Sequence, residues 1–287
     1  MKKFILGPLA LEGTSSKIIG LMWTLFLTLF TQVGGIIVWP FWSLVYSMCS
    51  SQRPFIRFLQ RTGIFFVLYT SVSLIVIPII AKQTGRTRLP IFASKEVPVA
   101  PLTLFYPLLN RNYVRIHTYE TFVHAAKNVA EKDSEIVIRY LDAGFPFPYI
   151  PLLPHLSHHD GQKIDVAFQF QKDGLYVDQA RSPIGYWGYV KESKKRTECD
   201  KPSKNTIPLR WDFDWLQPLL PDLSLDVHKN RTLLSALAAE KDVCLILLEP
   251  TLHSILDVPK LHANSCSVAR HDDHFHVSIQ KKCTQKK

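Results

Sequence analysis

Ser157-His158-His159-Asp160-Gly161-Gln162-Lys163-Ile164-Asp165 and, far downstream, Arg270-His271-Asp272-Asp273-His274-Phe275-His276 are the two stretches on which the reading of this chain turns. Six of the eleven histidines fall in or beside them: His155, His158, His159, His271, His274 and His276. Asp165 opens an alternating segment, Ile164 to Phe170, that predicts a strand with Asp165 turned away from Val166, Phe168 and Phe170. The second stretch continues into Val277-Ser278-Ile279, and the same alternation puts His274 and His276 on one face and Phe275, Val277 and Ile279 on the other. Two strands would then offer polar faces to one point. A catalytic zinc site needs three protein ligands and an open fourth position, which two histidines and a carboxylate can supply.

These residues carry a resemblance. A His followed by Gly three positions on and Asp seven positions on, then a distant His-x-His, resembles the lysostaphin, D-alanyl-D-alanine peptidase and hedgehog-type zinc fold. Within that group the pattern is most similar to the penicillin-insensitive murein endopeptidase family, whose Ser-His-x-x-Gly-x-x-x-Asp and His-Asp-x-His-Phe-His-Val stand here as Ser157 to Asp165 and His271 to Val277. Between them Arg210-Trp211-Asp212, a helix over Asn230 to Leu237 and a strand over Val243 to Leu248 also look similar, so the resemblance covers roughly residues 110–280. It implies an α+β domain, an antiparallel sheet with flanking helices carrying a Zn2+ site. It implies His158, Asp165 and His276 as metal ligands, His274 as the catalytic partner and His271 as a further histidine near water or substrate. Asp273 is a second, less favoured choice of base, while His155 and His159 are expected at the rim. The implied substrate is the peptide crosslink of peptidoglycan, with D-alanyl to diaminopimelyl amides favoured. The alternative is a non-catalytic scaffold or sensor that keeps the zinc and binds wall peptide, since fold does not fix turnover.

Composition adds what the motifs do not. Hydrophobic residues make up 47% and charged residues 20%, and the apolar excess is concentrated near the start. No charge stands between Lys17 and Arg53, nor between Arg61 and Lys82, and about 20 apolar residues suffice to cross a bilayer as a helix. The expected organisation is therefore a membrane region at 1–82, with apolar spans near 18–48 and 62–81, a Pro-containing linker or strap at 83–112, and the zinc domain at 113–287. As one helix the whole uncharged stretch from Ile18 to Gln52 would be about 52 Å long and overshoot. Gly34-Gly35 and Pro40 are places to break it, leaving either a tilted helix followed by an interfacial segment with Trp39, Trp42 and Tyr46, or a hairpin turning near Gly34-Gly35. Basic residues flank the second span on both sides, so charge does not orient it; a wall-directed domain would have to face the periplasm. A cleaved signal peptide is not expected, because Glu12 arrives before an apolar core develops.

The net charge of +10 favours anionic lipid and wall polymer. No nucleic-acid partner is expected, as aromatic-basic interleaving, fingers and Gly-rich fingerprints are missing. The oligomeric state is left open. Further readings are a helix over Thr118 to Glu131 with Thr118 as N-cap, a strand over Glu135 to Leu141, and a hairpin turn at Asp173-Gly174 into Leu175-Tyr176-Val177. The run Lys191 to Arg196 reads as a solvated loop. Of the five cysteines, Cys49 sits at a membrane boundary and Cys244 reads as a buried free thiol; Cys199 could pair with Cys266 or Cys283, and spacing does not choose.

Overall fold

The structure is a computed structural model that describes residues 8, 14–35, 37, 39, 42, 53–148, 152–153, 156–191, 213–263 and 270–283. The first helix, Thr14–Thr31 (α1), follows from its apolar composition. It ends at Gln32, whose φ of 59° turns the chain. Gly35 then lies so close to Thr24 and Thr28 that a Cβ would collide with both, and Trp42 lies beside Gly20, so the chain doubles back along α1. Of the two readings of the first apolar stretch, this geometry favours the hairpin; Pro40, Tyr46 and Cys49 lie outside the described residues.

The second apolar stretch is a helix over Pro54–Ser71 (α2), a π-helical turn at Val72–Val76 and a continuation over Ile77–Gln83 (α3). Pro78 lacks the N–H that would bond back to Leu74, and widening the preceding turn accommodates the missing bond. The helices Thr14–Thr31 and Pro54–Gln83 are long and apolar enough to cross a membrane.

Residues 83–112 carry structure of their own: Arg86–Arg88 (β1), Val99–Pro101 (β2) and the short helix Phe105–Leu108 (α4). β1 pairs antiparallel with Tyr113–Arg115 (β3). The helix Ile116–Lys132 (α5) buries Phe122, Ala125, Ala126 and Val129 at the expected spacing. Its N-cap is Arg115, without a side-chain bond, and Thr118 lies buried inside the first turn rather than capping it. Ile138–Tyr140 (β4), a 3-10 helix at Leu156–Asp160 and Lys163–Ala167 (β5) follow.

The strand read as Ile164 to Phe170 is divided, because Asn230 takes over the backbone of Gln169: its Oδ1 accepts from Gln169 N at 3.0 Å and its Nδ2 donates to Gln169 O at 2.7 Å. Phe170–Lys172 (β6) and Leu175–Val177 (β7) then make the expected hairpin, with Asp173 and Gly174 at φ 52° and 80°, as a type I′ turn requires. The remainder is a 3-10 helix at Asp214–Leu219, Ser224–Leu225 (β8), Val227–Ala239 (α6), Val243–Leu248 (β9), Pro250–Leu256 (α7), Leu261–Ala263 (β10) and His274–Ile279 (β11). Asp226 caps α6, accepting from Lys229 N at 3.0 Å.

The main sheet has the order β10-β9-β11-β5-β4-β2. The class is α+β, but the sheet is mixed and not the expected antiparallel one: β9 with β10 and β2 with β4 run parallel at its edges. In both cases a helix, α7 or α5, separates the two strands, and a crossover of that kind returns the chain in the same direction. One face packs Ile164, Val166, Phe275 and Val277 with Val129 and Leu233 in a single apolar core. A second, smaller cluster joins the apolar helices to the domain through Tyr69, Ile77, Ala81 and Tyr113. Cys244 is not a free thiol; it is disulfide-bonded to Cys283 and ties the last described residues to β9. Cys199 and Cys266 lie outside the described residues, as do His155, Arg210-Trp211-Asp212 and the basic run after Lys191.

Phe275 is fully buried between the two histidines of β11, its ring 5.7 Å from Phe168. Phe275→Ala is expected to lower unfolding stability by about 3–5 kcal/mol, the usual cost of emptying a buried aromatic site. A denaturant midpoint unchanged from the parent would contradict this.

Candidate metal centre

The site begins with a strand register. β11 lies antiparallel to β5 with His276 opposite Asp165, Phe275 opposite Val166 and Val277 opposite Ile164. Alternation therefore sends the apolar residues of both strands to the core, while Asp165 and His276 meet on the other face, Nδ1 to Oδ1 at 2.7 Å. His158 comes from the 3-10 helix that precedes β5. Its Nδ1 bonds to Ala143 O at 2.9 Å, which leaves Nε2 directed at Asp165 Oδ1, 3.2 Å away. The donor atoms of His158, Asp165 and His276 lie within 4.8 Å of one another, all three residues are buried, and together they form a cluster that could hold a metal ion. Two imidazoles and one carboxylate are donors that zinc and other first-row transition metals accept. Burial, the largest influence, lowers His276 to about 4 despite its Asp165 partner. The ring is thus neutral at pH 7, as a ligand must be.

The loop that delivers His158 is held from several sides. Arg86 Nη2 donates to His159 O at 2.7 Å, Arg115 N and Nε donate to Gly161 O and Asp160 O at 2.8 and 2.9 Å, and Lys163 Nζ bonds Ser157 O and Asp160 Oδ2. Gly161 is required for two reasons: its φ is 67°, and a Cβ would fall 1.2 Å from Arg86 Nη1. Burial, then neighbouring Arg115, lowers Arg86 to about 10, so its guanidinium stays charged near neutrality.

Behind the cluster stands a polar support. Tyr186 OH donates to Asp165 Oδ2 at 2.8 Å and accepts from Asp142 N at 3.2 Å. Burial pushes its phenol well above the usual value, so it remains a donor. Asp142 is buried in a two-bond pair with Arg111, at 2.5 and 2.8 Å, and its backbone O accepts from Asp165 N at 2.8 Å.

His274 lies beside this cluster, with Nε2 3.7 Å from Asp165 Oδ2 and Nδ1 2.5 Å from Asp273 Oδ1. The other oxygen of Asp273 accepts from Trp187 N at 2.5 Å. Both oxygens being engaged, this carboxylate is arranged to orient an imidazole. The His271 ring is 4.8 Å from that of His274 and 6.2 Å from that of His276, and Glu249 exchanges backbone and side-chain bonds with His271. Asp272 is fully buried and bonded by Arg270, which stacks over Tyr189 at 3.4 Å; burial raises its pKa.

No protein-family model matches this chain, and no curated protein does. The five residues named from sequence, His158, Asp165, His276, His274 and His271, do come together. His159 is exposed and contributes its backbone oxygen. Sequence reading missed Tyr186, Glu249 and the Arg111–Asp142 pair. Only Tyr186 had a local signal, the Gly185-Tyr186-Trp187-Gly188 run, in which paired glycines bracket two aromatics. Gly185 has φ 79°, and a Cβ on Gly188 would lie 2.9 Å from Ser182 N.

Proposed function

We propose that this chain is a membrane-anchored zinc peptidase of the murein endopeptidase kind, hydrolysing peptide crosslinks of peptidoglycan outside the cytoplasm, with D-alanyl to diaminopimelyl amides as the favoured bonds. The observation that carries the reading is the buried His158–Asp165–His276 cluster with a separate, carboxylate-oriented His274 at its side. A purely structural metal site closes its shell with a fourth protein ligand, whereas a catalytic one leaves a position open. Zinc, when bound, supplies polarisation of the scissile carbonyl and acidifies a coordinated water to about pKa 7.

The chain's own residues do the rest. Asp273 fixes the ring of His274 through Nδ1, so Nε2 faces the centre, where it accepts a proton during attack and returns it to the leaving amine. Tyr186 holds Asp165 Oδ2 and leaves Oδ1 toward His158 and His276. His271, whose ring lies 4.8 Å from that of His274, contacts substrate or water on this reading. The Cys244–Cys283 disulfide favours an oxidising compartment for the domain, and the two apolar helices supply the anchor. The charge of +10 suits anionic lipid and wall polymer.

The test is digestion of crosslinked peptidoglycan by the full chain in detergent. Crosslinked dimers should become monomers with glycan strands intact, and chelation should stop the reaction. A zinc-loaded protein that binds the polymer and releases nothing would leave the scaffold or sensor role in place of the enzyme.

A further inference from the structure

The second apolar helix carries its own depth scale. Its uncharged stretch between Arg61 and Lys82 is about 30 Å long at 1.5 Å per residue, which equals the hydrocarbon thickness of about 30 Å. Tyr69 and Ser73 therefore lie roughly 18 and 12 Å below the boundary on the domain side, at Ala81. Both are bonded to the domain: Tyr69 OH donates to Leu108 O at 2.6 Å, and Asn110 Nδ2 donates to Tyr69 OH at 2.9 Å and to Ser73 Oγ at 3.2 Å. The short helix α4 is thus fixed at a level where the neighbouring helix has acyl chains around it. Leu104, Phe105 and Leu108 are 56%, 45% and 39% exposed at this level, while Tyr106 and Pro107 face inward. The outward side of the long helix is also exposed and apolar as far as Ile79 and Ile80, so the two faces are continuous in character.

The polar groups at the same level obey the rule for lipid, where no water satisfies backbone or amide groups. Asn110 is buried and bonded to Tyr69 and Ser73. Gln32, fully buried at the turn of the first hairpin, exchanges two bonds of 2.8 Å with the backbone of Phe147.

Resting on the membrane-spanning reading above, we propose that Leu104 and α4 are embedded in the acyl-chain region of the bilayer, so that the domain is partly sunk into the membrane and not suspended from it by a tether. The partner of this surface is lipid hydrocarbon. The metal centre is then held close to the membrane plane, since Asn110 adjoins Arg111, Arg111 grips Asp142, and Asp142 O accepts from Asp165 N.

The test is nitroxide accessibility in the full chain, reconstituted in phosphatidylethanolamine–phosphatidylglycerol nanodiscs. Cys49, Cys199 and Cys266 are replaced by serine and the Cys244–Cys283 bond is kept. Labels are introduced by Phe105→Cys, by Ile75→Cys on the long helix and by Leu175→Cys on exposed β7. The ratio of oxygen to nickel-chelate accessibility at 105 should be within roughly twofold of that at 75 and several-fold above that at 175, because only lipid enriches oxygen and excludes the chelate. Leu104→Cys gives a second reading of the same face. Lipid at 75 with water at 104 and 105 overturns the proposal alone. Water at 75 removes the spanning helix and the proposal with it, and a label at 105 shielded from both reagents means that protein covers α4.

Discussion

His274→Ala is expected to slow cleavage of peptidoglycan crosslinks by about a hundred- to ten-thousandfold, the range of a general acid/base contribution, while zinc content stays at the parent level. The two halves of this result come from one geometry. His274 stands outside the His158–Asp165–His276 cluster, and its Nδ1 is committed to Asp273 at 2.5 Å. Removing the ring therefore takes away a proton carrier and no metal ligand. It also leaves Asp273 with only the Trp187 N–H on its other oxygen, so a moderate loss of stability is expected beside the kinetic one. Asp273→Asn serves as the companion variant. It keeps the volume and a hydrogen bond to Nδ1 but can present an N–H there, favouring the wrong tautomer, so activity should fall without loss of metal. Turnover by His274→Ala equal to the parent would remove His274 from the mechanism. Loss of zinc in that variant would make His274 a ligand and return the base to Asp273 or His271.

The legible part of this site was the part written in alternation. In β11, His274 and His276 stand opposite in direction to Phe275, Val277 and Ile279, and in β5 Asp165 stands opposite to Ile164 and Val166, so a pattern of period two fixes which face each side chain takes. The choice of His158 over His159 was legible through Gly161, whose positive φ the structure couples to the packing of Arg86. Arg111 was not legible and Tyr186 was marked only by the glycines beside it, because they reach Asp142 and Asp165 from loops distant in sequence where no period shows which group a side chain meets.

The mixed sheet was hidden for a related reason. β2 and β10 are three-residue edge strands, too short to show a period, and their direction is set by the helices that intervene. The disulfide escaped because Cys244 sits inside an apolar run that reads as fully buried. One side of β9 is in fact only half covered, and Cys244 lies on that side within reach of Cys283. Residues 83–112 carry four prolines and little periodicity, yet β1 from this segment holds the loop that delivers His158.

His158→Ala is expected to abolish stoichiometric zinc binding and, with it, activity, and a graded set of variants makes the result specific. His158 supplies one of three donors and is fixed by Ala143 O, so its loss leaves a two-point site facing a buried carboxylate that has lost a partner. The affinity should fall by more than the roughly 10- to 100-fold that removal of a supporting hydrogen bond costs. Tyr186→Phe should fall within that smaller range, since it deletes the bond to Asp165 Oδ2 and the one accepted from Asp142 N but removes no donor of the cluster. His159→Ala, which keeps the backbone oxygen used by Arg86, should bind as the parent does. Zinc content of the purified chains and competition with a chelator of known affinity give the ranking without reference to any substrate. Thermal unfolding with and without zinc gives it again, because a ligand bound only by the folded state raises stability with the logarithm of its affinity. Three variants of equal affinity, or a parent that takes up no zinc and gains no stability from it, would mean that the cluster is not a metal site. A His159→Ala chain that loses zinc while His158→Ala keeps it would mean that the loop turns at a different residue, and the role of Gly161 would have to be assigned anew.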